Sequence, residues 1–333
     1  MVSHFILDMT IKLTILTFII TILLITSINS YIPNANEDHF TLIVVYDNNE
    51  YNPKLKTDWG LSIYLEINDT EMLFDTGANP EILMYNLNML NLSIDDLDVV
   101  VLSHIHGDHV NGLSAIINRN KNVIVYIPSS FPISFKEKLR SLGIKFVEVS
   151  SWIKIKDYLY LTGELSSDGV HEQALVIKTK YGAIILSGCA HPGIDNFLIY
   201  VVNNMGIKNI LLVGGGFHLI GASEDRIKAI INTFEKYKVK AVMPIHCSGD
   251  LARKLFKTYF NGSTILAGVG YTLTENDLKV YQSSYIPSSQ TYTINREEEE
   301  FPPAHITMLI TLILIIAIIT YIITMLKRKT IIK

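Results

Sequence analysis

One segment constrains the fold of this chain more than any other. Residues 99–102 are three valines and a leucine, a short apolar run typical of a buried strand. The polar sequence Ser-His-Ile-His-Gly-Asp-His follows at once. Side chains two positions apart point the same way at an extended strand end, so we expect His104 and His106 to converge. Asp108 and His109 then come from the turn that opens the next helix, and we expect them to face the same space.

These residue types predict a metal site. Imidazole and carboxylate groups are ligands suited to zinc, iron or manganese. Four such side chains close together, after a strand and beside Gly107, are not typical of a surface histidine cluster. We therefore predict a divalent metal site with His104, His106, Asp108 and His109 as ligands. A metal with open positions lowers the pKa of bound water toward ~7 and polarises a carbonyl or phosphoryl oxygen, so the segment also predicts hydrolytic chemistry.

Strand-like and helix-like segments recur on both sides of this motif. Their order predicts an α/β domain with mixed sheets over residues 40–280. The predicted strands are 40–46, 61–67, 71–74, 99–103, 123–127, 174–179, 183–187, 209–214 and 241–245. The predicted helices are 80–90, 109–117, 135–142, 196–205, 223–237 and 249–259.

Charge and cysteine content exclude several function classes. The chain has 28 Lys and Arg against 32 Asp and Glu, and its net charge of -4 argues against a nucleic-acid binder. Two cysteines in 333 residues exclude a disulfide scaffold and a zinc module with four cysteine ligands. We therefore expect a small-molecule substrate and no nucleic-acid partner, and the sequence leaves the oligomeric state open.

Both ends of the chain are apolar and predict membrane segments. An uncharged N-terminal run predicts a signal peptide or membrane anchor over residues 1–30. Residues 306–326 are uncharged, and at ~1.5 Å per residue they would span a bilayer core of about 30 Å as a transmembrane helix. The basic tail, 327–333, would then be cytoplasmic, and the domain would be extracytoplasmic. Residues 281–305 are polar and acidic and predict a linker.

The metal-binding segment and its surroundings resemble the metallo-β-lactamase superfamily. The His-x-His-x-Asp-His motif after an apolar strand is similar to the superfamily's signature. The sequence Leu-Phe-Asp-Thr-Gly around Asp75 is similar to an early strand–turn motif whose aspartate supports the metal cluster indirectly. The strand that ends in His246 is similar to the one that supplies the last ligand. The resemblance implies an αββα sandwich, with two mixed sheets face to face, helices outside and metals at the sheet edges.

Shorter motifs resemble one branch of this superfamily, the dihydropterin-ribofuranosylaminobenzene-phosphate synthases and metal-dependent hydrolases. They are Glu-Gln-Ala-Leu from residue 172, Ser-Gly-Cys-Ala-His-Pro-Gly from 187, Gly-Gly-Phe-His-Leu from 215 and Ile-His-Cys-Ser-Gly from 245. The resemblance implies a metal-dependent hydrolase of an ester, phosphoester or amide-type bond, and the terminal segments predict that it is tethered to a membrane. The alternatives are a transferase similar to the synthase and a non-catalytic, metal-stabilised binding or sensing domain.

The resemblance also implies which later histidines are ligands. The superfamily usually supplies one late histidine to each of two metals, and His246 fits the last of these positions. His191, in a Pro-Gly turn after an apolar strand, is the first choice for the other. His171 is an alternative for that role, whereas His218, after three glycines, suits a residue that supports a ligand or contacts the substrate, and the sequence leaves open whether either is a ligand. Asp108 is the implied catalytic residue, because the motif's aspartate often orients the attacking water or takes its proton.

Cys189 stands where the superfamily usually has an aspartate that bridges both metals. A thiolate can bind zinc, but a buried cysteine is more often a packing residue, so the sequence leaves one or two metals per chain open. Zinc is the expected metal, with iron or manganese as alternatives. A disulfide between Cys189 and Cys247 is a further alternative outside the cell. Gly214–Gly216 either receives an oxyanion or phosphate on its backbone or forms a tight turn at a sheet edge.

Overall fold

Strands and helices alternate along residues 39–284, the part of the chain that the computed structural model describes. The strands are β1 (Phe40–Tyr46), β2 (Ser62–Ile67), β3 (Thr70–Phe74), β4 (Val99–Val101), β5 (Ile124–Pro128), β6 (Lys145–Val149), β7 (Ser151–Lys156), β8 (Leu159–Gly163), β9 (Leu165–Ser167), β10 (Val170–Glu172), β11 (Leu175–Thr179), β12 (Gly182–Ser187), β13 (Ile210–Gly216), β14 (Ala241–Ile245) and β15 (Thr272–Thr274). The α-helices are α1 (Pro80–Met89), α2 (Gly107–Val110), α3 (Leu113–Arg119), α4 (Ile133–Ser141), α5 (Ile194–Asn203), α6 (Glu224–Lys236), α7 (Asp250–Phe260) and α8 (Glu275–Ser284). Short 3-10 turns follow β14 and α7 at His246–Ser248 and Asn261–Ser263.

The strands form two mixed sheets and a small ribbon. The first sheet has the order β15-β1-β2-β3-β4-β5-β6, and the second has the order β14-β13-β12-β11-β8-β7. Strands β3 to β6 are parallel in the first sheet, as are β12 to β14 in the second, and the other pairs are antiparallel. Strands β9 and β10 pair only with each other as an antiparallel ribbon.

Apolar side chains from both sheets fill the space between them. Leu65 of the first sheet and Leu161 of the second are fully buried members of this core. The outer face of the first sheet is covered by helices that include the buried Ile116, and that of the second by helices that include the buried Phe234. Each such side chain contributes ~1.5–3 kcal/mol by burial. The layers are therefore helix, sheet, sheet and helix, and the expected α/β fold with two mixed sheets is confirmed.

Local sequence signals set where two of the helices begin. The side chain of Asn79 accepts hydrogen bonds from the backbone N–H groups of Glu81 (2.8 Å) and Ile82 (3.3 Å), and Pro80 occupies the first position of α1. Ser223 caps α6 in the same way through the N–H of Arg226. These residues satisfy backbone donors that have no partner within the helix.

The nine predicted strands and the six predicted helices are all present, but one helix is divided. The predicted helix over 109–117 is split into α2 and α3 because Gly112 donates its N–H to the carbonyl of Gly77 (3.1 Å). A Cβ at Gly112 would lie 1.9 Å from the carbonyl oxygen of Thr76, so the backbone packs directly on that turn. Strands β6 to β10 and β15 were not predicted from the sequence. They have three to six residues, and in β7 no residue is fully buried.

Most of the predicted terminal segments lie outside the described residues. These are the signal peptide or anchor at 1–30, the transmembrane helix at 306–326, the tail at 327–333 and nearly all of the linker at 281–305. Helix α8 continues to Ser284 because Leu278 is fully buried in the core between the sheets and Tyr281 packs against that core. No helix within residues 39–284 combines the length and hydropathy needed to cross a bilayer.

Candidate metal centre

The predicted ligands come together at one edge of the sandwich. They lie in segments that directly follow β4, β12 and β14, strands with parallel neighbours in their sheets. Since the carboxyl ends of parallel strands meet at the same edge, residues far apart in sequence become neighbours there. Two groups of potential ligand atoms result, each with all atoms within 4.8 Å of one another.

The first cluster consists of His104, His106 and His191. His104 Nε2 and His106 Nδ1 are 3.1 Å apart, and the His191 ring lies 4.9 and 4.8 Å from theirs, centroid to centroid. Burial, reinforced by the neighbouring histidines, holds the pKa of His104 well below its usual value and lowers that of His191 to about 4. Both imidazoles are therefore neutral, as a metal ligand requires. Nε2 of His191 is buried and finds no hydrogen-bond partner among the described residues.

The second cluster consists of Asp108, His109, Cys189 and His246. Asp108 Oδ2 lies 3.4 Å from Nε2 of His109 and 3.4 Å from Nε2 of His246. Cys189 Sγ lies 3.2 Å from the same His109 nitrogen. Burial raises the pKa of Asp108, but the two imidazoles outweigh this effect and hold it well below its usual range. Asp108 is 19% exposed, whereas the His109 and His246 side chains are fully buried, so the ionised carboxylate faces the opening.

A buried carboxylate behind the clusters orients His109. Asp75 Oδ1 accepts the backbone N–H of Ser103, and its Oδ2 lies 2.7 Å from both Ser103 Oγ and His109 Nδ1. Ser103 Oγ also lies 2.9 Å from His104 Nδ1. Burial lowers the pKa of His109, but the charges of Asp75 and Asp108 outweigh it and raise the value to about 10. With Nδ1 directed at Asp75, Nε2 of His109 is the atom that faces the second cluster.

Two residues that sequence reasoning missed orient His246. Asp47 is buried, and its Oδ2 accepts the backbone N–H of His246 at 2.9 Å. Asn48 Oδ1 lies 3.0 Å from His246 Nδ1, which leaves Nε2 directed at Asp108. The indole of Trp59, 46% exposed, lies 4.8 Å from the His246 ring, centroid to centroid. A usable signal existed, because the apolar strand β1 is followed at once by Asp-Asn-Asn.

Glu172 holds the loop that carries two of the candidate ligands. Its Oε1 accepts the backbone N–H groups of Gly188, Cys189 and Ala190 at 2.9–3.0 Å, and its Oε2 accepts that of His191 at 2.8 Å. Burial raises the pKa of Glu172 to about 7, while these four donors favour the ionised form. The sequence analysis noted the Glu-Gln-Ala-Leu motif but assigned no role to Glu172. The available signal was an acidic residue next to an apolar strand.

The other sequence candidates take different places. His171 lies on the β9–β10 ribbon with its side chain 43% exposed, 4.0 Å from Glu164 and outside both clusters. His218 is exposed, its ring lies 4.3 Å from that of His191, centroid to centroid, and its potential ligand atoms group with those of Cys189 and Cys247. Both cysteines are free thiols, so the alternative disulfide is not formed. Gly214–Gly216 is buried within β13 and forms neither an anion-binding loop nor an edge turn.

Four residues around the clusters have a left-handed backbone that non-glycine residues rarely adopt. They are Asp75, Ala190, His218 and His246, with φ angles of 60°, 57°, 53° and 50°. Each such residue costs ~1–3 kcal/mol and persists only where the surroundings fix it. Strain of this kind concentrates at functional sites, and here it falls on the candidate ligand His246, on Ala190 between Cys189 and His191, and on Asp75 and His218.

The donor atoms fit divalent metal ions. Zinc binds nitrogen at ~2.0–2.1 Å, so two nitrogens of a tetrahedral site lie about 3.3 Å apart, close to the separation of the His104 and His106 nitrogens. The unpartnered Nε2 of His191 completes a three-nitrogen set. The second cluster offers a carboxylate, a thiol and two imidazoles, a set that zinc also accepts. Each cluster is therefore suited to one ion.

Comparison with known proteins identifies the family. Residues 60–201 match the model of the metallo-beta-lactamase superfamily. The chain contains a metallo-beta-lactamase superfamily domain. The matched range begins just before β2 and ends within α5, so it includes the first cluster and all of the second except His246.

Proteins similar to this domain are described with different activities. The chain is 29% identical to the 7,8-dihydropterin-6-methyl-4-(beta-D-ribofuranosyl)-aminobenzene-5'-phosphate synthase of Methanocaldococcus jannaschii, over 63% of this chain and 87% of the synthase. It is 25% identical to Tm1679, described as a metal-dependent hydrolase of the beta-lactamase superfamily, with a TM-score of 0.58 over 71% of this chain and 98% of that one. The metallo-beta-lactamase fold protein YhfI from Bacillus subtilis has a TM-score of 0.53 at 15% identity, over 72% of this chain and 100% of that one, and shows the fold alone.

Proposed function

We propose that the domain is a metal-dependent hydrolase that acts on an ester, phosphoester or amide-type bond. The observation that carries the proposal is the juxtaposition of two ligand clusters with a partly exposed carboxylate, Asp108, at their opening. The likeness to the solved metal-dependent hydrolase Tm1679 supports the same interpretation.

We assign each residue of the site a separate role. His104, His106 and His191 would hold one divalent ion, and the second cluster would hold another. Bound divalent metals supply Lewis-acid activation of water and of the substrate's reacting oxygen. Asp108 stays ionised and faces the opening, so its carboxylate would orient the attacking water. Glu172 fixes the loop of Cys189 and His191, so that these ligands keep their positions during turnover.

A cavity beside His246 is the proposed substrate site. It has a volume of about 340 Å³ and is lined by His246 together with Asn48 of the β1–β2 loop, Ile220 and its neighbours in the β13–α6 loop, and Asp250 at the start of α7. Larger cavities of about 530 and 480 Å³ are lined by none of the cluster residues. The lining contains the acidic Asp250 and no Lys or Arg, which favours a substrate with little negative charge next to the scissile bond. The exposed indole of Trp59 offers a planar apolar surface on the other side of the His246 ring.

The second candidate is a transferase similar to the synthase of Methanocaldococcus jannaschii. Its specific support is the 29% identity over most of that enzyme. A non-catalytic binding domain is the third candidate, since a cysteine replaces the usual bridging aspartate. Retention of the full His-x-His-x-Asp-His motif favours turnover over binding.

Turnover assays on the full-length chain separate these candidates. Purified protein supplied with zinc or manganese would be tested on generic phosphodiesters, carboxylic esters and amides. The hydrolase predicts turnover that His104→Ala abolishes and that the matched exposed-histidine control, His171→Ala, leaves unchanged. Turnover that requires a phosphoribosyl donor would favour the transferase. Full metal content without turnover of any of these substrates would favour the binding domain.

We also propose that the domain is tethered to the outer face of a membrane. The support is the sequence of the terminal segments, 1–30 and 306–326, and the basic tail that follows the second. A single tag in the linker, probed by adding protease to intact cells, tests the orientation. Cleavage in intact cells is the expected result, and protection that ends only on lysis would place the domain inside.

A further inference from the structure

A third group of metal-binding side chains lies behind the proposed catalytic centre. Cys189, His218 and Cys247 have potential ligand atoms that all lie within 4.8 Å of one another. They follow β12, β13 and β14, three adjacent parallel strands of the second sheet, so the topology brings all three to one sheet edge. We propose that these residues form a third metal site for a thiophilic ion such as Zn²⁺, with Cys189 shared between this site and the second cluster. The proposal does not depend on which reaction the centre catalyses.

The dimensions of the group suit such an ion. Zinc binds thiolate sulfur at ~2.3 Å and nitrogen at ~2.0–2.1 Å, so the ligand atoms of a tetrahedral site lie about 3.3–3.8 Å apart. The observed limit of 4.8 Å requires only side-chain rotation for closure. The two cysteines are 4% exposed, whereas His218 is exposed, so an ion has a path from solvent and a fourth position stays open on that side.

The backbone around the three ligands is fixed before any ion binds. Gly216 donates its N–H to the carbonyl of Gly188 (3.1 Å), and Leu219 donates its N–H to the carbonyl of Cys247 (3.0 Å). His218 donates its own N–H to Cys247 Sγ at 3.3 Å. These bonds connect the three loops to one another, so the ligand atoms do not have to be collected from separate mobile segments.

Gly216 is the residue that lets the two cysteines approach the strand. A Cβ at this position would lie 2.8 Å from Cys247 Sγ, 2.2 Å from the carbonyl oxygen of Gly188 and 3.2 Å from the Cα of Cys189. Any larger residue would push the sulfur away or separate the loops. The glycine run of β13 therefore serves the packing of this group, not the anion binding considered from the sequence.

The donor set defines the class of ion. Two thiols and one imidazole favour zinc and softer ions over magnesium, calcium or manganese. Three protein ligands with an open fourth position are typical of reactive zinc sites, whereas purely structural sites are closed by four. The chain has no other cysteines, so any thiolate signal from bound metal arises from Cys189 or Cys247, and Cys247 belongs to this group alone.

Cobalt substitution of the full-length chain, purified under reducing conditions, tests the proposal. Co²⁺ replaces Zn²⁺, and its thiolate bonds give a charge-transfer band in the near ultraviolet. We expect the wild type to bind about one more ion per chain than Cys247→Ser, and the band to fall to about one third in that variant, because two of three cobalt–sulfur bonds are lost with that ion. His218→Ala should bind the additional ion more weakly, and its exposed position makes it a variant expected to fold. His171→Ala is the matched control and should retain the wild-type stoichiometry and band.

Other results would overturn the proposal. Equal stoichiometry and equal band intensity in the wild type, Cys247→Ser and His218→Ala would mean that Cys189 alone supplies the thiolate. Formation of a Cys189–Cys247 disulfide in the zinc-supplemented chain on exposure to dissolved oxygen as the oxidant, detected as loss of both titratable thiols without retained zinc, would also contradict it. Failure of the hydrolase assays with a third ion present would leave this site standing, so the two proposals fail separately.

Discussion

Replacing Asp75 by asparagine should weaken the binding of the second metal ion while leaving the first in place. In the wild type, Asp75 Oδ1 accepts the N–H of Ser103, and Oδ2 accepts from His109 Nδ1 at 2.7 Å. The backbone N–H can only donate, so in Asp75→Asn the amide oxygen of the new side chain must take the Oδ1 position and its NH₂ group must face His109. The imidazole must then accept at Nδ1 and carry its proton on Nε2, the atom that faces the second cluster.

The size of the effect follows from the bonds that change. One charge-assisted hydrogen bond between buried groups is lost, which costs ~1.5–3 kcal/mol in stability of the metal-free chain. Loss of such a carboxylate partner weakens metal binding ~10–100-fold, and this loss should be confined to the ion of Asp108, His109, Cys189 and His246. His104, His106 and His191 should keep their ion, because the Ser103 N–H that adjoins them retains its acceptor.

Chelator competition on the full-length chain, with elemental mass spectrometry for stoichiometry, measures both affinities. The matched control is Asp157→Asn, the same charge change on a side chain that is 93% exposed. The reasoning is refuted if Asp75→Asn binds its second ion with the wild-type affinity, or if both ions weaken equally. Equal weakening would mean that Asp75 stabilises the whole loop rather than the orientation of His109.

Four further predictions follow from the same geometry. His104→Ala should lose the ion of the first cluster and turnover, and wild-type metal content by elemental mass spectrometry would contradict the site. Cys189→Ser should weaken metal binding without eliminating it, as measured by chelator competition; unchanged affinity would make Cys189 a packing residue. In the metal-free chain the carboxylates near His109 outweigh burial and raise its pKa to about 10, from a usual 6.5. Its protonated form therefore stabilises the fold fully below pH 6.5, and that contribution is lost as the pH rises through 10. Urea unfolding should show this loss in the wild type and a flatter profile in His109→Gln. Trp59→Ala should raise KM for a substrate with a planar group while changing kcat little, and an unchanged KM would exclude the indole from the substrate site.

Local pattern carried most of the fold prediction. The strands found from the sequence are those whose side chains are almost all buried, such as β4 and β14. The missed strands are short or half-exposed, and they exist because a neighbouring strand offers hydrogen bonds, as β8 does for β7. The residues that favour these strands are therefore those of the neighbouring strand rather than their own.

The candidate site, like the fold, could be predicted only in part from the sequence. The grouping of His104, His106, Asp108 and His109 was predictable, because all four lie within one strand end and one turn. The contributions of Asp47 and Glu172 were not, because each acts through backbone N–H groups that are distant in sequence. Nothing in the local pattern of either residue indicates which loop it will hold.

The sequence by itself determined the class of fold, the sheet edge at which the candidate metal ligands lie and the presence of a metal-binding segment. Each of these depends on periodicity and on residue types within a few positions of one another. Only the tertiary structure decided that Cys189 joins His246, that His171 lies apart and that Cys247 and His218 meet behind the centre. These pairings depend on which parallel strands are neighbours in the second sheet, and strand order is set by the packing of the whole domain.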